Sequence, residues 1–551
     1  MTVPTERAQS YLDRHLWTDA RVGDLIGQRA ALFPERELFR FEGQRISYGQ
    51  FAAWLTEVAA DMVAHGIGPG DRVMVQLPNC LEALVMQMAA FRIGALNVPV
   101  IPIYREHETI QILADAQPAV IAVAAALGIR HPYKEIDAGL GTLNHRPRIR
   151  YIVGGAAPGW RQLPDLDAAT GAPATDLPEP LAADRPALIL YTSGTTSAPK
   201  GALLSSRALF AHLRNMVDIA DLDEAAVLAA GTPLSHLSGF VAGLLLPAYL
   251  GARAVILPAW RPDEAVEIIE RERVTTTMGA TVFLQDLVLR YAKGAAPAHR
   301  LKRYMCAGAT IPAALIRAAA DVGVFATRNY GMTETAGICT GATLGDSFER
   351  RCEWDGRLLS GMEIQAVNGD REPLPDGQEG ELRIRGPQLF DGYTDTDITA
   401  TQFDDQGWFY PGDIGIVDDG WVRMTGRSKD IVNRGGEKLS THDIEQALLN
   451  HPNVAAVAVT AVPDDRFGEA VGAWIVLSDM ASWDGPGEYL RYLDTARLAI
   501  AKLPVEWHVV AEIPTTASGK VQKFRLPELP DLATAIGARL TSATTSKGIT
   551  Q

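Results

Sequence analysis

The chain has 551 residues, a formal net charge of −15 at pH 7 and 47% hydrophobic residues. This length exceeds one ordinary hydrophobic core and predicts at least two domains. The acidic balance argues against a nucleic-acid partner, because phosphate backbones attract basic surfaces. Four scattered cysteines, with no C-x-x-C pair, indicate a reducing compartment and buried thiols.

The amino-terminal residues lack a basic segment followed by an apolar run, so we expect no signal peptide and a cytoplasmic protein. The most apolar window, residues 239–260, contains Arg253 and two prolines. We interpret this window as a buried helix followed by a strand, and we expect no membrane span.

Helical and strand patterns alternate through the first part of the chain, which predicts layers of parallel α/β structure. The predicted helices cover residues 48–65, 80–94, 109–116 and 265–273, and another begins at Ser206. The predicted strands cover residues 72–77, 97–101, 119–123, 252–257, 275–278 and 304–307.

The pattern changes near Ile364 to short strands separated by Gly/Asp turns, at 380–385, 414–417 and 421–424, which predicts a small β-rich unit. A domain boundary is predicted at 426–430. Beyond it, helices at 442–450 and 489–501 and strands at 454–462 and 470–477 predict a compact α+β domain.

The run from Tyr191 to Gly201 (YTSGTTSAPKG) places glycines, hydroxyl residues and one lysine after an apolar strand. Glycines allow the backbone to approach an anion, while hydroxyls and lysine supply donors, so the run predicts a polyphosphate site. It is not a Walker P-loop, because Lys200 is followed by Gly201 and not by Ser or Thr.

Further motifs follow in a fixed order, and with this run they identify a family resemblance. They occupy residues 192–200, 233–240, 306–312, 329–334, 407–413, 426–430 and 514–520. Together they resemble the adenylate-forming superfamily of acyl-CoA synthetases, luciferases and peptide-synthetase adenylation domains, in its acyl-CoA ligase-like branch. The resemblance implies an α/β adenylation core over 1–427 with a small β-rich unit. It also implies a hinge at 428–430, a mobile α+β domain over 431–530 and a flexible tail over 531–551.

The resemblance implies a set of ATP-binding residues: Thr192, Ser193, Gly194, Thr195, Thr196, Lys200, Gly308, Ala309, Asn329, Tyr330, Gly331, Thr333, Asp413 and Arg427. In this set Tyr330 would stack on adenine, Thr333 would bind the α-phosphate and Asp413 would accept the ribose hydroxyls. Glu334 and Thr195 would hold Mg²⁺, which prefers oxygen ligands.

The resemblance also assigns the catalytic and moving parts. Lys520 would neutralise charge on the attacking carboxylate and the α-phosphate, and Thr333, Glu334 and His236 complete the predicted catalytic set. Lys429 would be the hinge about which the carboxyl-terminal domain rotates between half-reactions. Gly435 and Gly436 would then face the thiol tunnel.

The expected acid pocket contains His236, Phe240, Val241, Val282, Phe283, Gly331 and Ile338. Amino-acid-activating relatives carry an Asp near the histidine motif, whereas Leu234-Ser235-His236 has no acid, so an α-amino acid is disfavoured. Leu237 stands where hydroxybenzoate-activating relatives have Asn. Short- or medium-chain, alicyclic and aryl carboxylates remain as expected substrates.

The resemblance therefore implies an AMP-forming acid–CoA ligase that uses ATP, Mg²⁺ and coenzyme A. Three alternatives remain open: transfer of the acyl group to a carrier protein, adenylation of another oxyacid such as nitrite for diazo formation on an aryl amine, and an inactive nucleotide-binding scaffold. The retained Thr195, Glu334, Asp413 and Lys520 argue against the scaffold. A small-molecule acid is the expected partner, and a homodimer stays open.

Overall fold

The fold is taken from a computed structural model of the chain. It describes residues 3–143, 145–169, 176–192, 199–294, 300–309, 311–427, 431–434, 437–464, 468–479, 483–495, 502–515 and 521–532. Within these ranges the strands form two seven-stranded sheets, a six-stranded sheet, a five-stranded sheet and a two-stranded ribbon. A large amino-terminal domain of mixed α/β structure precedes a smaller carboxyl-terminal domain.

The first seven-stranded sheet has the order β14-β13-β12-β10-β11-β1-β2. Its strands are β1 (Glu37–Phe41), β2 (Gln44–Ser47), β10 (Val227–Ala230), β11 (Arg253–Ile256), β12 (Thr276–Gly279), β13 (Arg303–Cys306) and β14 (Phe325–Arg328). The pairs are parallel except β1–β2, which forms a hairpin.

The second seven-stranded sheet has the order β7-β6-β5-β3-β4-β8-β9. Its strands are β3 (Arg72–Gln76), β4 (Leu96–Pro99), β5 (Val120–Ala124), β6 (Ile149–Val153), β7 (Arg161–Gln162), β8 (Pro186–Thr192) and β9 (Lys200–Ser205). All pairs are parallel except β8–β9, in which Thr192 lies opposite Lys200.

The six-stranded sheet is antiparallel and has the order β17-β18-β22-β21-β20-β19. Its strands are β17 (Thr340–Gly341), β18 (Arg357–Leu358), β19 (Glu363–Val367), β20 (Glu379–Arg385), β21 (Asp413–Asp418) and β22 (Trp421–Arg427). The ribbon joins β15 (Gly331–Met332) to β16 (Gly337–Ile338). The β-rich unit predicted from Ile364 is confirmed, although two of its strands begin earlier in the chain.

The smaller domain contains the five-stranded sheet, in which β24-β23-β26-β25 are antiparallel and β27 pairs with β26. Its strands are β23 (Ile431–Arg434), β24 (Glu437–Ser440), β25 (Val454–Asp464), β26 (Gly468–Leu477) and β27 (Glu506–Val509). Helices α15 (Thr441–Leu449) and α16 (Gly487–Thr495) accompany this sheet, and a 3₁₀ helix covers Lys523–Glu528.

The larger domain carries the remaining α-helices. They are α1 (Thr5–Asp13), α2 (Leu25–Leu32), α3 (Tyr48–Ala64), α4 (Leu81–Arg92), α5 (Glu106–Ala116), α6 (Pro132–Thr142), α7 (Ser206–Ala220), α8 (Leu237–Phe240), α9 (Leu246–Leu250), α10 (Pro262–Arg271), α11 (Thr281–Ala292), α12 (Ala313–Asp321), α13 (Phe348–Glu353) and α14 (Thr396–Gln402). A π-helical turn, Val241–Leu245, separates α8 from α9.

One hydrophobic core joins the two seven-stranded sheets. Helix α4 lies in this core, and almost every side chain from Leu81 to Phe91 is buried, because the helix has no polar face. Phe91 of α4 stacks on Phe240 of α8, with ring centroids 6.0 Å apart. The preceding helix α3 begins at a capping box, in which Ser47 and Gln50 bond to each other's backbone.

The predicted helices and strands lie within a few residues of the observed ones, except that the predicted helix 489–501 is described only as far as Thr495. Among the four cysteines, three are buried and Cys80 is partly exposed. In the described part of the chain, no helix has both the length and the apolar content needed to cross a membrane. The domain limits at 427, 430 and 530 stay predictions.

Candidate active site

Four of the predicted site segments follow the carboxyl ends of adjacent parallel strands. The His236 loop follows β10, Phe283 follows β12, Gly308 follows β13 and Tyr330 follows β14, and these strands are neighbours in the sheet. Open α/β sheets bind ligands at this edge, because the loops there converge. The sheet order therefore assembles motifs that lie up to a hundred residues apart in the sequence.

Tyr330 and Asp413 form the first part of the site. The Tyr330 hydroxyl donates to Oδ2 of Asp413 at 2.7 Å, and Nε of Arg427 lies 2.9 Å from Oδ1. Burial, followed by the Asp413 charge, raises the pKa of Tyr330 well above its usual value, so the phenol stays protonated as a donor. Tyr330, which is expected under adenine, and Asp413, which is expected at the ribose, are thus directly hydrogen-bonded to each other.

Glu334 forms the second part of the site, in the 3₁₀ turn Thr333–Thr335. Its Oε1 accepts a hydrogen bond of 2.7 Å from the hydroxyl of Tyr393. Burial, followed by the Glu334 charge, raises the pKa of Tyr393. Nζ of Lys200 lies 5.7 Å from the centre of the Tyr393 ring, within the range of a cation–π contact.

Backbone pairing brings Tyr393 to the phosphate-loop strands. The Leu203 amide donates to the Gly392 carbonyl, and the Thr394 amide donates to the Gly201 carbonyl. Strand β9 is therefore bonded on one side to β8 and on the other to residues 391–394. This arrangement brings Lys200 to the ring and Glu334 to the hydroxyl of the same tyrosine.

Gly331 occupies a place where only glycine fits. A Cβ added there would lie 2.2 Å from the carbonyl oxygen of Gly337, across the β15–β16 ribbon. A Cβ added at Gly337 would in turn lie 2.6 Å from the ring of His212. Gln388 is fully buried and donates to the carbonyls of Thr335 and Ile338. The loop that carries Glu334 is therefore rigidly supported.

Two of the expected ATP-binding residues, Gly308 and Asn329, also have structural roles in their loops. Gly308 has φ of +89° and no atom within 4 Å of an added Cβ, so backbone conformation and not lack of space requires glycine there. The buried Asn329 amide donates to the carbonyls of Cys306 and Thr327. Asn329 therefore fixes the loop before Tyr330, and Ala309 lies partly exposed beside Gly308.

His236 is the amino-terminal cap of α8 and is partly exposed. Its Nδ1 lies 2.9 Å from the Ser238 hydroxyl, which in turn lies 3.4 Å from the Thr232 hydroxyl. Although the residue is partly exposed, desolvation of its ring by the surrounding side chains lowers the pKa of His236 to about 4, so the imidazole is neutral at pH 7. The residue can exchange hydrogen bonds at a carboxylate pocket without adding a charge.

Asn79 clamps the His236 loop. Its side-chain amide donates to the carbonyls of Thr232 and Leu257, and its Oδ1 accepts from the Leu234 amide. These three bonds join the loop after β10 to the residue after β11. Sequence reasoning did not select Asn79, because an isolated asparagine after a strand gives no local signal.

An aromatic pair stands at the same sheet edge. Trp260 packs against Phe283 with ring centroids 4.6 Å apart, and its Nε1 donates to Asp286 at 2.9 Å. The pair covers two glycines: an added Cβ would lie 2.6 Å from Trp260 at Gly231 and 2.9 Å from Phe283 at Gly279. Trp260 was not among the residues that the sequence selected.

The remaining expected pocket residues differ in exposure. Phe240 and Val241 are fully buried in the shared core. Val282, by contrast, is 46% exposed and Ile338 is partly exposed. The structure thus places Val282, Phe283 and Ile338 where a ligand could contact them, with Phe240 and Val241 behind the surface.

Several predicted residues lie outside the described ranges. They are Ser193, Gly194, Thr195, Thr196, Lys429, Gly435, Gly436 and Lys520. For two of these segments, described residues on either side pair with each other: Thr192 with Lys200 and Thr515 with Val521. Lys523 contacts Glu445 and Thr441 within the smaller domain.

Of the two residues expected to bind Mg²⁺, the structure describes only Glu334. Among the residues that the structure describes, no three His, Cys, Asp or Glu side chains are grouped as metal ligands. Mg²⁺ usually takes one or two protein carboxylates together with substrate phosphates. Glu334, fixed by Tyr393 beside the phosphate-loop strands, fits that donor set.

Comparison with known proteins gives matches over most of the chain. The model of the AMP-binding enzyme family matches residues 26–394, and the model of the AMP-binding enzyme C-terminal domain matches residues 443–520. The medium-chain fatty-acid–CoA ligase of Escherichia coli (strain K12) is 33% identical over 537 residues, which are 96% of this chain and 93% of that protein.

The indoleacetate–CoA ligase of Aromatoleum aromaticum is 32% identical over 516 residues, covering 93% of this chain and 97% of that protein. The crystal structure of ATP-bound MatB from Rhodopseudomonas palustris is similar with a TM-score of 0.81 and 30% identity. That match covers 92% of this chain and 98% of MatB.

Proposed function

From the premise that the chain belongs to the AMP-binding enzyme family and is an ATP-dependent, AMP-forming ligase, we propose that it joins an apolar carboxylic acid to coenzyme A. The acid carboxylate attacks the α-phosphate of ATP, forming an acyl adenylate and releasing pyrophosphate. The thiol of coenzyme A then attacks the acyl carbon, forming the thioester and releasing AMP and a proton.

The proposal that the substrate is an apolar acid rests on the His236 loop and the aromatic residues beside it. The imidazole of His236 is neutral at pH 7, and the loop from Pro233 to Phe240 contains no acidic side chain and no basic one other than His236. An ammonium group on the substrate would therefore have no counter-ion in this loop. The partly exposed Trp260 and Phe283 supply apolar area for a ring or a hydrocarbon chain.

On this proposal the ATP residues have separate tasks. Asp413 accepts the ribose hydroxyls beside the face of Tyr330, and Glu334 takes Mg²⁺ with the phosphates. When bound, Mg²⁺ neutralises charge on the departing pyrophosphate. Lys520 supplies the positive charge at the attacking carboxylate and the α-phosphate. The names of the two relatives, ligases of a medium-chain fatty acid and of indoleacetate, support an apolar acid.

The test is a panel of acids assayed for AMP and pyrophosphate, with and without coenzyme A. The panel holds linear, alicyclic and aryl carboxylates, and nitrite with an aryl amine. We expect coenzyme-A-dependent turnover of an apolar carboxylate. Adenylation that does not respond to coenzyme A would favour a carrier-protein acceptor, and turnover on nitrite alone would overturn the proposed acid class.

Three variants accompany the panel. Lys520→Ala should abolish adenylation and leave the fold intact, and a full adenylation rate would contradict its role. Lys429→Pro should impair thioester formation much more than adenylation, and equal loss in both would contradict the hinge. Trp260→Ala should improve kcat/KM for bulkier acids relative to small ones by roughly tenfold, since pocket size discriminates by about 1–3 kcal/mol per methylene.

A further inference from the structure

A cavity of about 780 Å³ lies beside the β1–β2 hairpin, outside the segments of the candidate active site. It is lined by Glu37, Arg40, Glu42, Gly43, Arg45, Arg253, Arg271, Glu272 and Arg273. These residues come from the β1–β2 hairpin, from the first residue of β11 and from the end of α10. Five of the nine are arginines, in a chain whose net charge is −15.

The cavity lies along the β1–β2 side of the first seven-stranded sheet, whereas the strands that lead to His236, Phe283, Gly308 and Tyr330 lie on the other side of β11. Arg253 begins β11, whereas Leu257, which follows that strand, is tied by Asn79 to the loop that carries His236. Strand β1 is five positions from β14, the strand before Tyr330, which corresponds to about 24 Å across the sheet at ~4.8 Å per strand. A ligand in the arginine cavity is therefore distinct from a nucleotide bound beside Tyr330.

The three glutamates of the cavity neutralise part of its positive charge. Arg40 and Arg271 donate to the buried Glu272 at 2.9 and 3.1 Å, and Arg253 donates to Glu37 at 3.0 Å. Five arginines against three glutamates leave a net charge of +2. The side chains of Arg45 and Arg271 are 68% and 63% exposed, so guanidinium groups face the solvent in the cavity.

Arg273 contributes an exposed side chain to the cavity. It follows the end of α10 with φ of +56°, in the left-handed region where helices normally place glycine. A non-glycine residue there costs about 1 kcal/mol or more. Two backbone hydrogen bonds stabilise this helix end, from the Arg273 amide to the Glu270 carbonyl and from the Val274 amide to the Ile269 carbonyl. Within the described residues, no side-chain hydrogen bond or ion pair engages Arg273, so its guanidinium is available to a ligand.

We propose that this cavity binds a small polyanion through its phosphate groups. Arginine is suited to this ligand because its planar fork can donate two parallel hydrogen bonds to phosphate oxygens. Arg45 and Arg273 bind the ligand directly, and the ion pairs of Glu37 and Glu272 hold Arg40, Arg253 and Arg271 around it. The phosphate groups belong either to free pyrophosphate or to a nucleotide such as the 3′,5′-ADP part of coenzyme A.

The test is calorimetric titration of the full chain with inorganic pyrophosphate and, separately, with 3′,5′-ADP. Both titrations are made without Mg²⁺, at low salt, and with AMP in excess to occupy the nucleotide site. We expect one further site for at least one probe, and the probe that binds identifies the source of the phosphate. Arg273→Gly and Arg45→Ala should each weaken binding by roughly tenfold, the value of one charge-assisted hydrogen bond.

The variant Arg273→Gly separates binding from folding. Glycine is favoured at this helix end, so the thermal midpoint should stay constant or rise while the anion affinity falls. Arg261→Ala is the matched control, because Arg261 lies at the other end of α10, is 69% exposed and pairs with Glu264. The Arg261→Ala protein should bind the probe with the affinity of the wild type.

Two results would overturn the proposal. One is wild-type affinity in both Arg273→Gly and Arg45→Ala. The other is the absence of any site beyond the one that AMP occupies, for both probes. Neither result depends on which acid the enzyme adenylates.

Discussion

The hydroxyl of Tyr330 donates to Asp413 at 2.7 Å, although the two residues are 83 positions apart in the chain. The aromatic residue follows a parallel strand of the first sheet, and the carboxylate begins a strand of the antiparallel sheet. Asp413 is 1% exposed and has Arg427 as its second donor. This bond fixes the ring expected under adenine relative to the carboxylate expected at the ribose.

Tyr330→Phe should raise the KM for ATP by roughly tenfold and change kcat little. The ring face remains for stacking, but a buried carboxylate loses one of its donors, which costs about 1–3 kcal/mol. The measurement is the KM for ATP in the adenylation assay. Tyr410→Phe is the control, because Tyr410 also donates to an aspartate, Asp404 at 3.0 Å. An unchanged KM in Tyr330→Phe would show that the bond does not orient Asp413.

Tyr393→Phe should raise the Mg²⁺ concentration needed for half-maximal adenylation by several-fold. The phenylalanine keeps the ring near Lys200 but removes the donor that orients Glu334. Two readouts check it: the Mg²⁺ dependence of the rate and the affinity of the protein for Mn²⁺–ATP.

Tyr151→Phe is the control for Tyr393→Phe, since Tyr151 donates to Asp61 at 2.6 Å in the second seven-stranded sheet. It should leave both metal readouts unchanged. Wild-type metal dependence in Tyr393→Phe would show that Tyr393 does not position Glu334.

Gly331→Ala should abolish activity and destabilise the protein by about 3 kcal/mol, because the new Cβ would lie 2.2 Å from a carbonyl oxygen. Urea denaturation and the adenylation rate check this result. Gly27→Ala in α2 is the control, since an added Cβ there meets no atom within 4 Å. Alanine should stabilise that helix by about 0.5–1 kcal/mol. A Gly331→Ala enzyme with wild-type stability would contradict the tight ribbon.

Protein stability should rise with pH between about 4 and 6.5. Burial lowers the pKa of His212 to about 4, below the ordinary 6.5, so in this window the unfolded chain binds more protons than the folded one. The stabilisation is complete above pH 6.5 and is lost as the pH falls towards 4. For the buried His212 the total is about 3 kcal/mol.

His212→Gln should flatten this pH dependence, because glutamine does not titrate. The free energy of unfolding, measured in urea from pH 4 to 8, gives the slope, and His107→Gln at an exposed site is the control. His236 has the same direction of pKa shift, so part of the slope should remain. A slope identical to that of the wild type would show that His212 is not the titrating group.

Much of the fold followed from local patterns. The apolar periodicity of α3, the continuous apolar surface of α4 and the alternating strands predicted the elements to within a few residues, because these patterns depend on neighbours along the chain. The predicted ATP residues Tyr330, Glu334 and Asp413 also lie in ordered, bonded positions. Tyr393, Asn79 and Trp260 were missed, because each acts through a residue far away in the sequence.

The sequence by itself determined the family, the order of its motifs and the residue types available for adenylation. Only the tertiary structure decided that Tyr393 holds Glu334, that Asn79 clamps the His236 loop and that Gly308 and Gly331 are glycines for different reasons. It also decided that five arginines from three separate segments line one cavity. The physical reason is that hydrogen bonds, steric contacts and charge clusters depend on distance in space, which sheet order sets and local sequence patterns do not encode.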